Sequence, residues 1–199
     1  LTARRGMSKN VQRSAAIGLG LLGRQVAGEA RVDVAKALLK SYDKVKDNST
    51  KNFAIISLAY LLIDDIKSST TDVLGNTQAD EMILDVAENG SYMFQPFGAI
   101  ALGLILRDIN DELEIDKYQE FKDSALRVLR EGAVSKKMDK KGRGAFCTAL
   151  GIAQDADSSE TLRAIVADTK GDKQLRGYAA LGLGLIGNPT SEVMKTIAD

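Results

Sequence analysis

The feature that most restricts this chain is a thirteen-residue pattern that returns five times. It reads VQRSAAIGLGLLG at 11–23, TKNFAIISLAYLL at 50–62, FQPFGAIALGLIL at 94–106, GRGAFCTALGIAQ at 142–154 and LRGYAALGLGLIG at 175–187. The copies register on Leu19, Leu58, Leu102, Leu150 and Leu183, which lie 39, 44, 48 and 33 residues apart. Periods of that size belong to helical-pair repeats, and an apolar segment of this length and spacing fits a helix, not a strand.

A second kind of segment alternates with the first. Val34, Leu38 and Val45 fall on one side of 31–45, and Ile83, Val86 and Ala87 on one side of 80–88. Phe121, Leu126 and Leu129 do the same in 117–130, as do Leu162, Ile165 and Val166 in 160–167. Spacings of three and four predict amphipathic helices there. These are the expected outer helices, and the glycine-rich set the inner ones. Between them, 64–80 and 107–116 read as loop insertions. Asp157 and Glu160 have capping-box spacing, and Asn188 before Pro189 reads as an N-cap with proline at the first helical position. The chain opens on an inner helix and closes on an outer one at 191–199. With LTARRGMSKN at the start, this reads as a single repeat domain over 1–199, cut from a longer solenoid.

The last inner segment and the residues after it, LRGYAALGLGLIGNPTSEVMKTIAD, resemble the HEAT-like repeat first described in phycobilin lyases. In that repeat an apolar–Arg pair leads into an Ala-rich helix, then Leu-Gly and a short turn. Gln12, Lys51, Gln95, Arg143 and Arg176 hold the basic or polar position here. The resemblance covers nearly the whole chain and implies an all-α fold: an α-α superhelix of the HEAT/armadillo-like solenoid kind, with about five helical-hairpin repeats. It implies almost no chemistry. The GLGL runs are also similar, less closely, to proteasome/cyclosome repeats, which build closed helical rings.

Glycine inside a helix costs about 0.5–1 kcal/mol relative to alanine, so something must offset it. Just after each register leucine stand Gly20, Ala59, Gly103, Gly151 and Gly184, all small. That stripe lies to one side of the leucine core and predicts close approach of neighbouring inner helices. Residues 18–23 and 182–187 also match GxGxxG, but a phosphate cradle needs a strand before the glycines and neither segment has one.

A second stripe is more informative. With the register leucine facing the core, the positions five before, two before and two after it face the opposite way. They are Ser14, Ile17 and Leu21; Phe53, Ile56 and Tyr60; Phe97, Ile100 and Leu104; Ala145, Thr148 and Ile152; and Tyr178, Leu181 and Leu185. A water-facing inner helix would place charge at these points. Five such helices side by side predict an apolar concave surface larger than soluble monomers usually leave open. Either tight curvature or another part of the full-length protein covers it, or it is a groove for an apolar or amphipathic partner segment. The residues expected to contact such a partner are Phe53, Ile56, Tyr60, Phe97, Ile100, Leu104, Ile152, Tyr178, Leu181 and Leu185.

Composition removes several alternatives. There is no histidine, which excludes Ser-His-Asp and Cys-His nucleophile arrangements and histidine-rich metal sites. Lys plus Arg and Asp plus Glu each number 27, so no global field favours nucleic acid. There is no Trp for base stacking, and no apolar run approaches a membrane span. Lys136, Lys137, Lys140, Lys141 and Arg143 read as a solvated turn, and Cys147 as a buried, inert thiol. The carboxylate pairs Asp64 and Asp65, Asp111 and Glu112, and Asp155 and Asp157 read as turn or cap residues among polar neighbours. No catalytic residue, metal or cofactor is expected. The expectation is a non-catalytic scaffold that binds a protein or peptide on its concave face. The alternatives are a structural segment of a larger helical assembly, or a HEAT-like enzyme of bilin-lyase or DNA-glycosylase type.

Overall fold

The computed structural model describes residues 8–109 and 116–187, and every regular element among them is helical. The inner helices are α1 (Lys9–Gly23), α3 (Asn48–Lys67), α6 (Gln95–Asp108), α8 (Lys140–Ile152) and α10 (Lys173–Ile186). The outer helices are α2 (Glu29–Lys44), α5 (Ala79–Asn89), α7 (Asp116–Val134) and α9 (Ser159–Ala167), and a short α4 spans Asp72–Asn76. Each inner helix packs along the next in chain order, and each outer helix packs chiefly against the inner helix after it. The chain is all-α.

The register residues supply the layer between the two sets. Leu58, Leu102 and Leu150 are fully buried and Leu183 nearly so, while Leu19 of α1 is half-buried. They meet Leu38 of α2, Ile83 and Val86 of α5, Tyr118, Phe121 and Leu129 of α7, and Leu162 of α9 in one continuous core. Burying each such side chain contributes about 1.5–3 kcal/mol.

Helix starts obey a rule that the repeat pattern does not contain. Asp47, Asp139 and Asp172 cap α3, α8 and α10, accepting from the N–H groups of Thr50, Gly142 and Leu175 at 3.0, 2.6 and 3.0 Å. Helix α10 ends on Gly187 at φ 72°, the left-handed conformation that glycine adopts without strain.

Several expectations are corrected. The stretch 64–80 is not a loop, because α3 continues to Lys67 and α4 comes next. Asp64 and Asp65 are therefore helical, and Asp65 is fully buried. Its carboxylate accepts from Arg31 Nη1 at 2.9 Å and from the Val73 N–H at 2.6 Å, so it ties α2 and α4 to α3. The Asp157 capping box does not form. Asp157 lies in a 3-10 turn, Ala156–Ser158, and the N-cap of α9 is Ser158, whose hydroxyl accepts from no N–H of that helix. Asp155 is buried rather than solvated, accepting from Arg130 Nη2 at 2.6 Å and from the Ser158 hydroxyl. Asp111, Glu112, Asn188, Pro189 and the helix expected at 191–199 lie outside the described residues.

Candidate interaction surface

The polar position that opens each inner segment does a structural job. Arg176 Nε donates to the Val166 carbonyl at 2.6 Å and Arg143 Nε to the Ala133 carbonyl at 3.0 Å. Gln95 Nε2 donates to the Glu88 carbonyl at 3.1 Å. Each satisfies a carbonyl left unpaired where the preceding outer helix ends, which is why a long donor recurs at this point. Lys51 instead lies over the Tyr42 ring, 4.8 Å from its centroid. This row is a joint.

The small residues form a ladder with two sides. A Cβ on Gly103 would stand 2.6 Å from the Ala149 carbonyl oxygen, and one on Gly151 would stand 2.6 Å from Gly182 Cα. A Cβ on Gly20 would overlap the Ser57 side chain. So the residue after one register leucine meets the residue before the next, and both must be small. Gly184, at the same place in α10, has nothing within 4 Å among the described residues. Both GxGxxG matches lie in helices α1 and α10 with no strand among the described residues.

This lateral packing aims the second stripe away from the outer layer. None of its fifteen positions is buried. Ile17, Leu21, Phe97, Leu181 and Leu185 are exposed, between 38% and 60%. Phe53, Ile56, Tyr60, Ile100, Leu104 and Tyr178 are half-buried, their inner edges packed on the core, and Ile152 is half-buried as well. The central helices α3 and α6 thus hold most of the half-buried part, and the most exposed side chains sit on α1 and α10. Arg24 covers Tyr60, its guanidinium 5.0 Å from the ring centroid. The Tyr178 ring lies against Gly144, where a Cβ would overlap it.

Charge around the stripe is arranged by edge. At the C-terminal ends of the inner helices, Arg24 pairs with Asp64 at 3.0 Å and Lys67 with Asp108 at 3.3 Å. At the N-terminal ends stand Lys9, Lys140, Lys141 and Lys173, all exposed. Lys140 pairs with Asp172 at 3.1 Å, and Arg13 with Asp47 at 2.9 Å. The Arg13 hydrogen bonds hold the Asp47 carboxyl well below the usual carboxylate range, against the opposing effect of burial. For Asp155 burial pushes upward, but the hydrogen bonds from Arg130 and Ser158 outweigh it and the group sits low.

Other features of the molecule offer less. Cys147 is free and buried, and burial pushes its thiol up to about 11. A cleft of about 590 Å³ runs along α9 between the end of α7 and the starts of α8 and α10, lined by acids and bases together. It opens beside the joints, and no stripe residue lines it. No group of three metal-ligating side chains occurs among the described residues, and no described helix is long and apolar enough to cross a membrane.

One further signal stands in the sequence. The five aligned segments contain no acidic residue at all, although the chain as a whole is neutral. Net charge hid an asymmetry between layers. The chain matches no family model and no curated protein in comparison with known sequences.

Proposed function

We propose that this chain is a HEAT-like α-α superhelix acting as a non-catalytic scaffold, which binds a protein or peptide segment along its inner-helix face. One observation carries the reading. Fifteen positions, identified only by their offset from the register leucine, all escape burial, and all but Ser14, Ala145 and Thr148 are large aliphatic or aromatic residues. An apolar row kept open over five consecutive inner helices exceeds the isolated exposed leucine that any surface tolerates. Stacked helical repeats use such extended concave faces for binding.

The repeat resemblance supports the architecture, and the joint row Gln95, Arg143 and Arg176 gives its signature position a physical reason. The partner-contacting residues on this reading are Phe53, Ile56, Tyr60, Phe97, Ile100, Leu104, Ile152, Tyr178, Leu181 and Leu185. The test replaces Ile100 and Leu104, or Leu181 and Leu185, by glutamate. Partner capture in pull-down is expected to be lost while far-ultraviolet circular dichroism and the denaturation midpoint change little. Global unfolding of both double variants would mean that the row is core, and the reading would fall.

A further inference from the structure

The two helical layers carry different charge. The five inner helices hold ten Lys and Arg against three Asp, whereas the outer helices α2, α5, α7 and α9 hold nine against twelve. All three inner-helix carboxylates are already ion-paired, Asp64 with Arg24, Asp65 with Arg31 and Asp108 with Lys67. No inner helix has an acid in its first turn, while every outer helix does. The N-cap carboxylates Asp47, Asp139 and Asp172 serve the N–H groups that open α3, α8 and α10, and Asp47 and Asp172 are each taken up by an ion pair as well, with Arg13 and Lys140.

The cations gather at one edge of the apolar row. Lys141, Ala145, Thr148 and Ile152 follow one another at spacings of four, three and four, which puts Lys141 on the stripe itself. Lys173 opens α10 little more than one turn before Tyr178 begins its stripe. Both lysines are exposed and neither has an ion pair among the described residues. At the opposite edge, Arg24, Lys67 and Arg107 are balanced by Asp64 and Asp108.

Building on the scaffold reading, we infer that the occupant is an amphipathic helical segment of a partner protein, apolar on one face and carboxylate-rich along one flank. Its apolar face lies on Ile152, Leu181 and Leu185. Its acidic flank runs over the N-terminal ends of α8 and α10, against Lys141 and Lys173. Charge complementarity sets both the partner's sign and its orientation.

The test uses two labelled helical peptides with the same Leu and Ile face, one with glutamates along one flank and the other with lysines there. Fluorescence anisotropy on the full chain is expected to show the acidic peptide binding about tenfold tighter, an advantage that shrinks as salt rises. Lys141→Glu with Lys173→Glu removes or inverts that preference. This reversal places acids at helix N-termini, so the fold is expected to hold. Leu181→Glu weakens both peptides. Equal binding of both peptides with loss in Leu181→Glu overturns the charge inference and leaves the scaffold reading standing. No binding of either peptide, or binding that Leu181→Glu leaves untouched, overturns the inference. Equal affinity for single-stranded DNA or anionic vesicles, lost in the lysine variant, would identify a polyanion surface instead. Sedimentation showing self-association lost in Leu181→Glu would identify a second copy as the occupant. Either result refutes the peptide assignment.

Discussion

Replacing glycine by alanine should have opposite effects at two places in the same class of helix. In a free helix interior the change stabilises by about 0.5–1 kcal/mol, because glycine loses more backbone freedom on folding. Gly18 and Gly177 are such sites, with nothing within 4 Å of an added methyl group among the described residues. Gly103 and Gly151 are not. A methyl on Gly103 stands 2.6 Å from the Ala149 oxygen and 3.0 Å from Ala149 Cα, where ordinary contact begins at 3.4 Å. Both obstacles are backbone, so no side chain can rotate away, and α6 must part from α8. Overpacking of this kind costs about 1–3 kcal/mol. After the propensity gain the net loss for Gly103→Ala lies between about 0 and 2.5 kcal/mol, and two backbone collisions at once place it toward the upper end. For a chain of this size that is about 2–4 °C in Tm per kcal/mol. Urea unfolding followed by circular dichroism, with thermal melts beside it, measures each variant against wild type. Gly18→Ala and Gly177→Ala raise the midpoint, and Gly103→Ala and Gly151→Ala lower it. The same sign at all four sites would refute the ladder.

Asp65→Ala strands the buried guanidinium of Arg31 and uncaps α4, so a loss of about 3–5 kcal/mol is expected, visible in the urea midpoint. Replacing Arg31 and Asp65 together by apolar residues should recover much of that loss. Asp47 has a folded-state pKa depressed by Arg13, so its contribution is complete above the unfolded value of about 4 and is lost as pH falls through the folded value. The urea midpoint should therefore drop below about pH 4 in wild type, and Asp47→Asn should flatten that slope while lowering stability at neutral pH. Cys147 should react slowly with a thiol reagent at mildly alkaline pH in the native protein, and at a free-thiol rate in urea. A fast native reaction would contradict its burial.

Much of the architecture is legible in the sequence, because a five-fold register supplies its own controls. The leucine phase separates Leu58, Leu102 and Leu150, which are buried, from Ile56, Ile100 and Leu104 two positions away, which are not. One segment of this kind is ambiguous, and the alignment of five separates the core face from the stripe, except in α1, where Leu19 is only half-buried and Leu22 is exposed. The polar joints were harder to read. Asp65 comes directly after Asp64 and looks like part of a surface pair, yet a step of 100° sends one carboxylate to Arg24 at the surface and the other to Arg31 in the interior. Only the partner 34 residues upstream distinguishes them, and no local pattern announces it. The capping box at Asp157 failed for a related reason. Asp155 takes the Ser158 hydroxyl and the Arg130 guanidinium, and the resulting 3-10 turn moves the helix start past Asp157.

The ladder and the open row have one cause. A helix that packs outward on leucines and sideways on backbone has only its remaining face free, and glycine or alanine at the flanks leaves long polar side chains to reach it only from the helix ends, as Arg24 does over Tyr60. Close lateral approach also narrows the gaps between inner helices. That is why Phe53, Ile56, Ile100 and Leu104 in the middle of the stack are half-buried by their neighbours, while Leu21 and Leu181 on α1 and α10 are not. Half-burial lets aliphatic side chains stand on a surface at reduced cost and in restricted rotamers, so a partner that covers them forfeits less side-chain entropy in doing so. The glycines that weaken each helix taken singly are thus the same residues that hold the open row fixed, and on the proposed scaffold reading their substitution is expected to weaken peptide binding, measured by anisotropy, in proportion to how far it forces the inner helices apart.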